Sequence, residues 1–203
     1  MCQASIYEKV LGPEFIKLHP KLQERYRIHS GESFVAKGIM KKITGGPRIL
    51  YPLWWLGTFV KFFFPERGEN ISFTITNHAY ISKKGEEEVH WERAFHFPQK
   101  TRYFNAVMSY DKKRQIIKDY LGEPSPLYSD LKFSVLEDGS LQIDSVKQRL
   151  VFGRIEIPLP RFLHGLASVR ETYQDKRQSY TISVTVKNKL LGTIFAYEGE
   201  FHA

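Results

Sequence analysis

The side chains able to do chemistry are few in this chain, and they do not gather. Its histidines are His19, His29, His78, His90, His96, His164 and His202. His90 and His96 share one strand face, but six strand residues hold them about 20 Å apart, too far for one metal ion. No HExxH, CxxC or carboxylate cluster at ligand spacing is present. His90 beside Glu92 has the make-up of an acid–base pair, but solvent-facing alternation accounts for both residues. A serine nucleophile would need a strained turn such as GxSxG. A phosphate loop would need a further glycine and a lysine after Gly45-Gly46-Pro47. The chain has neither, so no catalytic residue, metal or cofactor is assigned.

Arg93 is the exception. In Trp91-Glu92-Arg93-Ala94-Phe95 the strand period of two places its side chain between those of Trp91 and Phe95, on the apolar face. A three-residue loop of Lys84, Gly85 and Glu86 would pair Lys83 with Glu87 and Ile75 with Phe95, setting Asn77 opposite Arg93. A guanidinium inside an apolar wall needs an anionic partner. Two kinds are open: an internal carboxylate such as Glu156, Glu171 or Glu198, or the headgroup of a carboxylate or phosphate ligand held bidentately.

The second unusual stretch is 47–65, PRILYPLWWLGTFVKFFFP. Pro47 and Pro52 suit an entry turn and a first helical turn, and Pro65-Glu66-Arg67-Gly68 is a stop signal. A helix over 52–63 would be about 18 Å long, short of a ~30 Å hydrocarbon core. Being apolar all round, it is expected either as a plug inside the core or as a membrane-interface or ligand-lining helix. Trp54, Trp55 and Phe59 then join Trp91, Phe95, Asn77 and Arg93 as the candidate binding set.

The rest of the chain must position these groups. Residues 1–30 read as a helical N-terminal segment, broken near Gly12-Pro13. Residues 70–203 read as an antiparallel sheet: Ile71, Phe73 and Ile75 alternate with polar residues, as do Ile182, Val184 and Val186. Asp138-Gly139 is a strong turn pair, Gly38 marks an expected bulge, and 153–160 reads as an edge strand or irregular crossing. About nine or ten strands with short turns, in one domain over 1–203, make a mainly β (α+β) fold. A calycin-like β-barrel with an aromatic plug or lid helix is expected, with an open curved sheet or sandwich as the alternative.

The chain carries 30 Lys and Arg against 22 Asp and Glu, net +8, which attracts anions without choosing among them. Nucleic-acid binding would need aromatic and basic residues interleaved on one sheet face. Tyr103, Phe104 and Tyr110 near Arg102 and Lys112 come nearest, and no recognised module fits, so nucleic acid is not expected. The single cysteine, Cys2, excludes an internal disulfide. With no signal-type apolar run and no transmembrane-length stretch, a cytoplasmic location is expected, with contact to a membrane surface as a variant.

Several segments carry a family likeness: Trp91-x-Arg93-x-Phe95, the run GRIEIPLPRFLHGLASVRETY at 153–173, the ending NKLLGTIFAYEGEFH at 188–202, and the early IYEKVLG. Together they resemble the bacterial domain of unknown function family 4166. Such domains occur alone, attached to membrane segments, or behind nucleotide-binding reductase domains. The resemblance implies no established activity; the company kept implies an accessory role near lipids or small metabolites. It also implies a tryptophan-rich closing strand, where this chain has Phe201-His202.

The expected function is a non-enzymatic binding module for a hydrophobic or anionic, lipid-like small molecule inside the barrel. The alternatives are a peripheral membrane or protein-interaction domain using the aromatic helix, and an enzyme with a dispersed site.

Overall fold

A computed structural model describes residues 4–203; Cys2 lies outside the described residues. The strands are β1 (Ser33–Gly45), β2 (Gly68–Ile81), β3 (Glu87–Phe97), β4 (Lys100–Tyr103), β5 (Ala106–Asp111), β6 (Ile116–Leu121), β7 (Leu127–Val135), β8 (Leu141–Phe152), β9 (Ile155–Pro158), β10 (Leu166–Gln174), β11 (Ser179–Asn188) and β12 (Gly192–His202). Apart from β4 and β9, successive strands pair antiparallel, β3 with β5; β12 returns to β1, and β10 pairs with β8. Ten strands therefore close into an up-and-down barrel, which leaves few free edges. The other two are flanks: β4 lies on β3, and β9 on β8. The segment expected as an edge strand or irregular crossing, 153–160, contains β9, which Pro158 ends, with Pro160 beyond it.

Closure brings β1 and β12 into backbone contact. A Cβ on Gly38 would stand 2.0 Å from the Glu200 carbonyl oxygen, and one on Gly199 would stand 2.3 Å from that of Ile39. Only glycine fits at such an approach. The bulge expected at Gly38 lies instead between Met40 and Lys42.

The β2–β3 register differs from expectation by two residues. Ile75 faces Arg93, and Asn77 faces Trp91. The three-residue loop is Lys83-Lys84-Gly85, closed by Ser82 N–H donating to the Glu86 carbonyl. Gly85 has φ +76°, and a left-handed residue belongs at the last position of such a loop. A two-residue shift keeps every side chain on its face, so both apolar faces still coincide.

The N-terminal segment floors the barrel. Helix α1 (Ile6–Leu11) starts at Ser5, whose hydroxyl accepts from Glu8 N–H while Glu8 reaches back to Ser5 N–H. A 3-10 turn over Gly12–Lys17 leads to α2 (Pro20–Tyr26), which begins on a proline. Leu18, Leu22, Tyr7 and Tyr26 are buried beneath the strands. Trp91 Nε1 donates to Tyr7 Oη at 2.7 Å. Arg25 and Glu171 form an ion pair, Nε to Oε1 2.5 Å, with both side chains wholly out of solvent. Burial pushes the Glu171 carboxyl up, and Arg25 opposes it. Tyr26 Oη donates a second bond to this carboxylate at 3.1 Å.

The aromatic stretch roofs the other end. Helix α3 runs only over Tyr51–Gly57, followed by a 3-10 turn at Thr58–Val60. The expected helix over 52–63 stops early because Lys61 turns left-handed, φ 48°, and Phe62 N–H closes back on the Gly57 carbonyl. The turn sends Phe63 and Phe64 inward. Phe63 packs on Trp54, Phe104 and Phe195, and Phe64 on Phe95 and Phe195. The roof is thus neither wholly plug nor wholly surface: Trp54 faces in, while Leu53, Trp55, Leu56 and Phe59 face out.

Candidate functional site: a polar pair in an apolar cavity

Beneath Phe62 and Phe63 lies an interior cavity walled by Trp91, Met108, Leu131, Ile143 and Val184. About 670 Å³ is free of atoms, mouth included, and only about 60 Å³ admits the centre of a water molecule. It is a narrow slot, with room for about four waters at roughly 15 Å³ each.

Two ionisable side chains enter this slot, Arg93 and Asp119. Arg93 is 6% exposed. Its Nε donates to the Phe104 carbonyl at 2.7 Å and its Nη1 to Tyr197 Oη at 3.3 Å. The guanidinium also stands 4.3 Å from the Phe104 ring centre. Arg93 therefore faces the interior, as its alternation with Trp91 and Phe95 requires. None of the carboxylates expected as partners serves: Glu171 is engaged with Arg25, Glu156 with Arg149 and Tyr120, and Glu198 is exposed.

Among the described residues, the one carboxylate that lines the slot with Arg93 is Asp119, on β6, close enough to feel its charge but in no ion pair with it. Its side chain points inward between those of Ile117 and Leu121. One carboxylate oxygen is fully buried with no hydrogen-bond partner among the described residues. Burial raises its pKa to about 7, against a smaller downward pull from Arg93. Near neutral pH Asp119 thus exchanges between an acceptor and a hydrogen-bond donor. Sequence reasoning passed over Asp119, although an aspartate between Ile117 and Leu121 is the same signal that marks Arg93.

Of the expected binding set, the cavity wall takes Trp91 and Arg93. Phe95 and Asn77 are buried elsewhere in the barrel, and Asn77 Nδ2 has no partner among the described residues. Trp54 packs behind Phe63. Trp55 and Phe59 stack edge to face on the outer surface, 54% and 67% exposed.

A seam in the barrel wall reaches this cavity. The β8–β10 ladder runs only from Leu141–Glu171 to Asp144–Ser168, beyond which β8 takes β9 as its partner. Side chains close the gap. Ala167 N–H donates to Ser145 Oγ at 2.7 Å. Gln148 Nε2 donates to the Gly165 carbonyl, and Gly165 N–H donates to Gln148 Oε1, both at 2.8 Å. Gln148 lines the interior slot on one side and, on the other, a wider outer cleft with about 1340 Å³ free of atoms, open solvent included.

A clasp holds the roof down. Glu123 accepts from Lys61 Nζ at 2.7 Å and Asn105 Nδ2 at 2.9 Å, and it also meets His90 Nε2. Burial pushes the Glu123 carboxyl up, but the bonds from Lys61, His90 and Asn105 outweigh it and hold the pKa at about 2. His90 thus serves this clasp. Among the described residues, no three His, Cys, Asp or Glu side chains come together as metal ligands, and no helix is long and apolar enough to cross a membrane.

Comparison with known proteins agrees with the resemblance noted above. "Uncharacterized protein YndH" of Bacillus subtilis (strain 168) is 43% identical over 198 residues, covering 98% of this chain and 96% of that protein. The family model for a domain of unknown function, DUF4166, matches residues 18–201. With most of its barrel inside that match, this chain belongs to the DUF4166 family.

Proposed function

We propose that the barrel holds a slender apolar molecule with one polar end, and that this end sits between Arg93 and Asp119. The observation that carries the reading is the buried, unpartnered carboxylate oxygen of Asp119 in an apolar slot. A buried acceptor without a partner costs about 1–3 kcal/mol or more, and a ligand hydroxyl or carboxyl would relieve that cost. With Asp119 protonated, the pair carries one positive charge and suits a carboxylate. With Asp119 ionised, the pair is neutral and suits an alcohol. At this volume the slot takes only the polar end and first carbons of a single chain, such as a fatty acid or a linear isoprenoid, and Phe62 and Phe63 must move aside to admit the rest.

The test is native mass spectrometry of the purified protein, with extraction and identification of bound lipid, followed by reloading with palmitate or a linear prenol. One bound chain per barrel is expected for the wild type, and loss of it for Arg93→Met and Asp119→Leu. No retained or reloaded molecule at all, or loading unchanged in both variants, would overturn the reading.

A further inference from the structure

The strand ends sort the chain's connections to the two mouths of the barrel. The roofed mouth is made by 46–67, 98–105, 122–126, 146–166 and 187–192. These pieces touch in a ring. Gly122 lies against Val60 and Pro126. Val151 N–H donates to the Pro126 carbonyl, and Leu159 N–H to the Gln148 carbonyl. Asn188 Nδ2 donates to the carbonyls of Phe162 and His164. Gly46 and Gly165 both abut Ile194.

Two properties converge on this ring. Eighteen large apolar side chains are exposed among the described residues, and all but Ile16, Val35, Ile39 and Ile81 belong to it. They include Leu53 and Phe59 on the roof, Phe152 and Ile155 on the β8–β9 hairpin, Phe162, and Leu190. The same segments hold eleven Lys and Arg against three Glu, an excess of eight that equals the net charge of the whole chain. The outer cleft beside the seam concentrates it: Lys147, Arg149, Arg161, Lys187 and Lys189 line it with His164, and among the described residues no carboxylate does.

We propose that this ring is a docking face for an anionic lipid bilayer. An apolar patch of this extent on a water-facing end marks an interaction site. Aromatic and aliphatic side chains flanked by cations match the boundary between acyl chains and anionic headgroups. A nucleic acid would leave the apolar ring exposed, and a second copy of this chain would set eight excess positive charges against eight. The bilayer answers both the greasy ring and its charge. The inference stands whether or not the slot holds a ligand.

The test is flotation of the full chain with vesicles of phosphatidylcholine alone, and of an equal mixture of phosphatidylcholine and phosphatidylglycerol. Binding to the mixed vesicles, weakened by salt, is expected, with little on the neutral ones. The pair Leu53→Ser and Phe59→Ser, both outward-facing, should weaken it at least roughly tenfold. Lys187→Glu with Lys189→Glu should weaken it by roughly fivefold or more for each charge. Thermal melts confirm that both variants fold. No flotation on mixed vesicles at low salt would overturn the proposal, as would flotation untouched by both pairs. Concentration-dependent dimerisation through Leu53 and Phe59 without vesicle binding would overturn it too.

Discussion

Gln148 holds Gly165 by both backbone groups, and it does so where the barrel's own ladder has stopped. One side chain thus stands in for two strand hydrogen bonds between the interior slot and the basic cleft. Gln148→Ala leaves a partly buried N–H and C=O without their partner, and should cost about 1–3 kcal/mol. Amide hydrogen exchange should quicken at Gly165 and Ala167 well before it does in β2 or β11. Unchanged protection there would mean that the seam is held by something other than Gln148.

Asp119 makes stability depend on pH in a defined direction. Its folded pKa, about 7, lies above the ordinary aspartate value. Between these values the folded state binds more protons than the unfolded one, so stability falls as pH rises through about 7. Asp119→Asn removes that dependence. The stability of the variant relative to wild type should improve by about 2–4 kcal/mol between pH 4 and pH 8, read by urea denaturation at both pH values. A difference that stays flat with pH would mean that Asp119 is ionised and solvated.

The same titration should reach the proposed ligand. Capture of a fatty carboxylate needs Asp119 protonated, so affinity should fall by up to about tenfold per pH unit above 7. A fatty alcohol should show a much shallower profile. Equal profiles for acid and alcohol would remove Asp119 from the headgroup site.

Arg25 and Glu171 bind the floor to the wall. Arg25→Met leaves a buried carboxylate uncompensated, and should destabilise by about 3–5 kcal/mol. Adding Glu171→Leu should recover most of that loss, because the cost lies in the stranded charge. Trp91→Ala, which empties volume above the same floor and releases Tyr7, should cost about 3–5 kcal/mol. Denaturation midpoints of the three variants check all of this.

Glu123 is the clasp, and its low pKa gives a second test. Its bonds to Lys61, His90 and Asn105 favour the roofed state above the ordinary glutamate pKa, and lose that favour as pH falls toward 2. Glu123→Gln should loosen the roof at pH 7, with faster amide exchange over 57–64 and little change in global melting. A large drop in melting temperature with the roof still protected would contradict a clasp.

Much of this fold could be read from local pattern. The strands alternated cleanly, the N-terminal helices broke at Gly12-Pro13, and Arg93 declared itself between Trp91 and Phe95. What escaped depended on distant partners. The end of α3 is set by Phe63 and Phe64 finding Phe195 and Phe95, contacts that no window of the sequence contains. The role of Gln148 depends on a bulge: Asp130 pairs with Lys147 and Leu131 with Ser145, so Val146 is the extra residue and the inward face passes from Ser145 to Gln148. Strict alternation puts Gln148 outside. Asp119 escaped because β6 has only six residues and follows the charged stretch Asp111-Lys112-Lys113-Arg114, too short an alternation to say which face is inward.

The closure of β12 onto β1 has a consequence in time. About 150 residues separate the end of β1 from the start of β12. At about 5–20 residues per second, a ribosome takes on the order of ten seconds to supply the partner. Through that interval β1 is paired with β2 on one side only, and its other edge, with Gly38 bare and Val35 and Ile39 exposed, stays open. Such an edge is a template for any other extended chain nearby, and contacts so far apart in sequence form late. The yield of this barrel in a cell should therefore depend on how fast it is translated and on what shields β1 meanwhile.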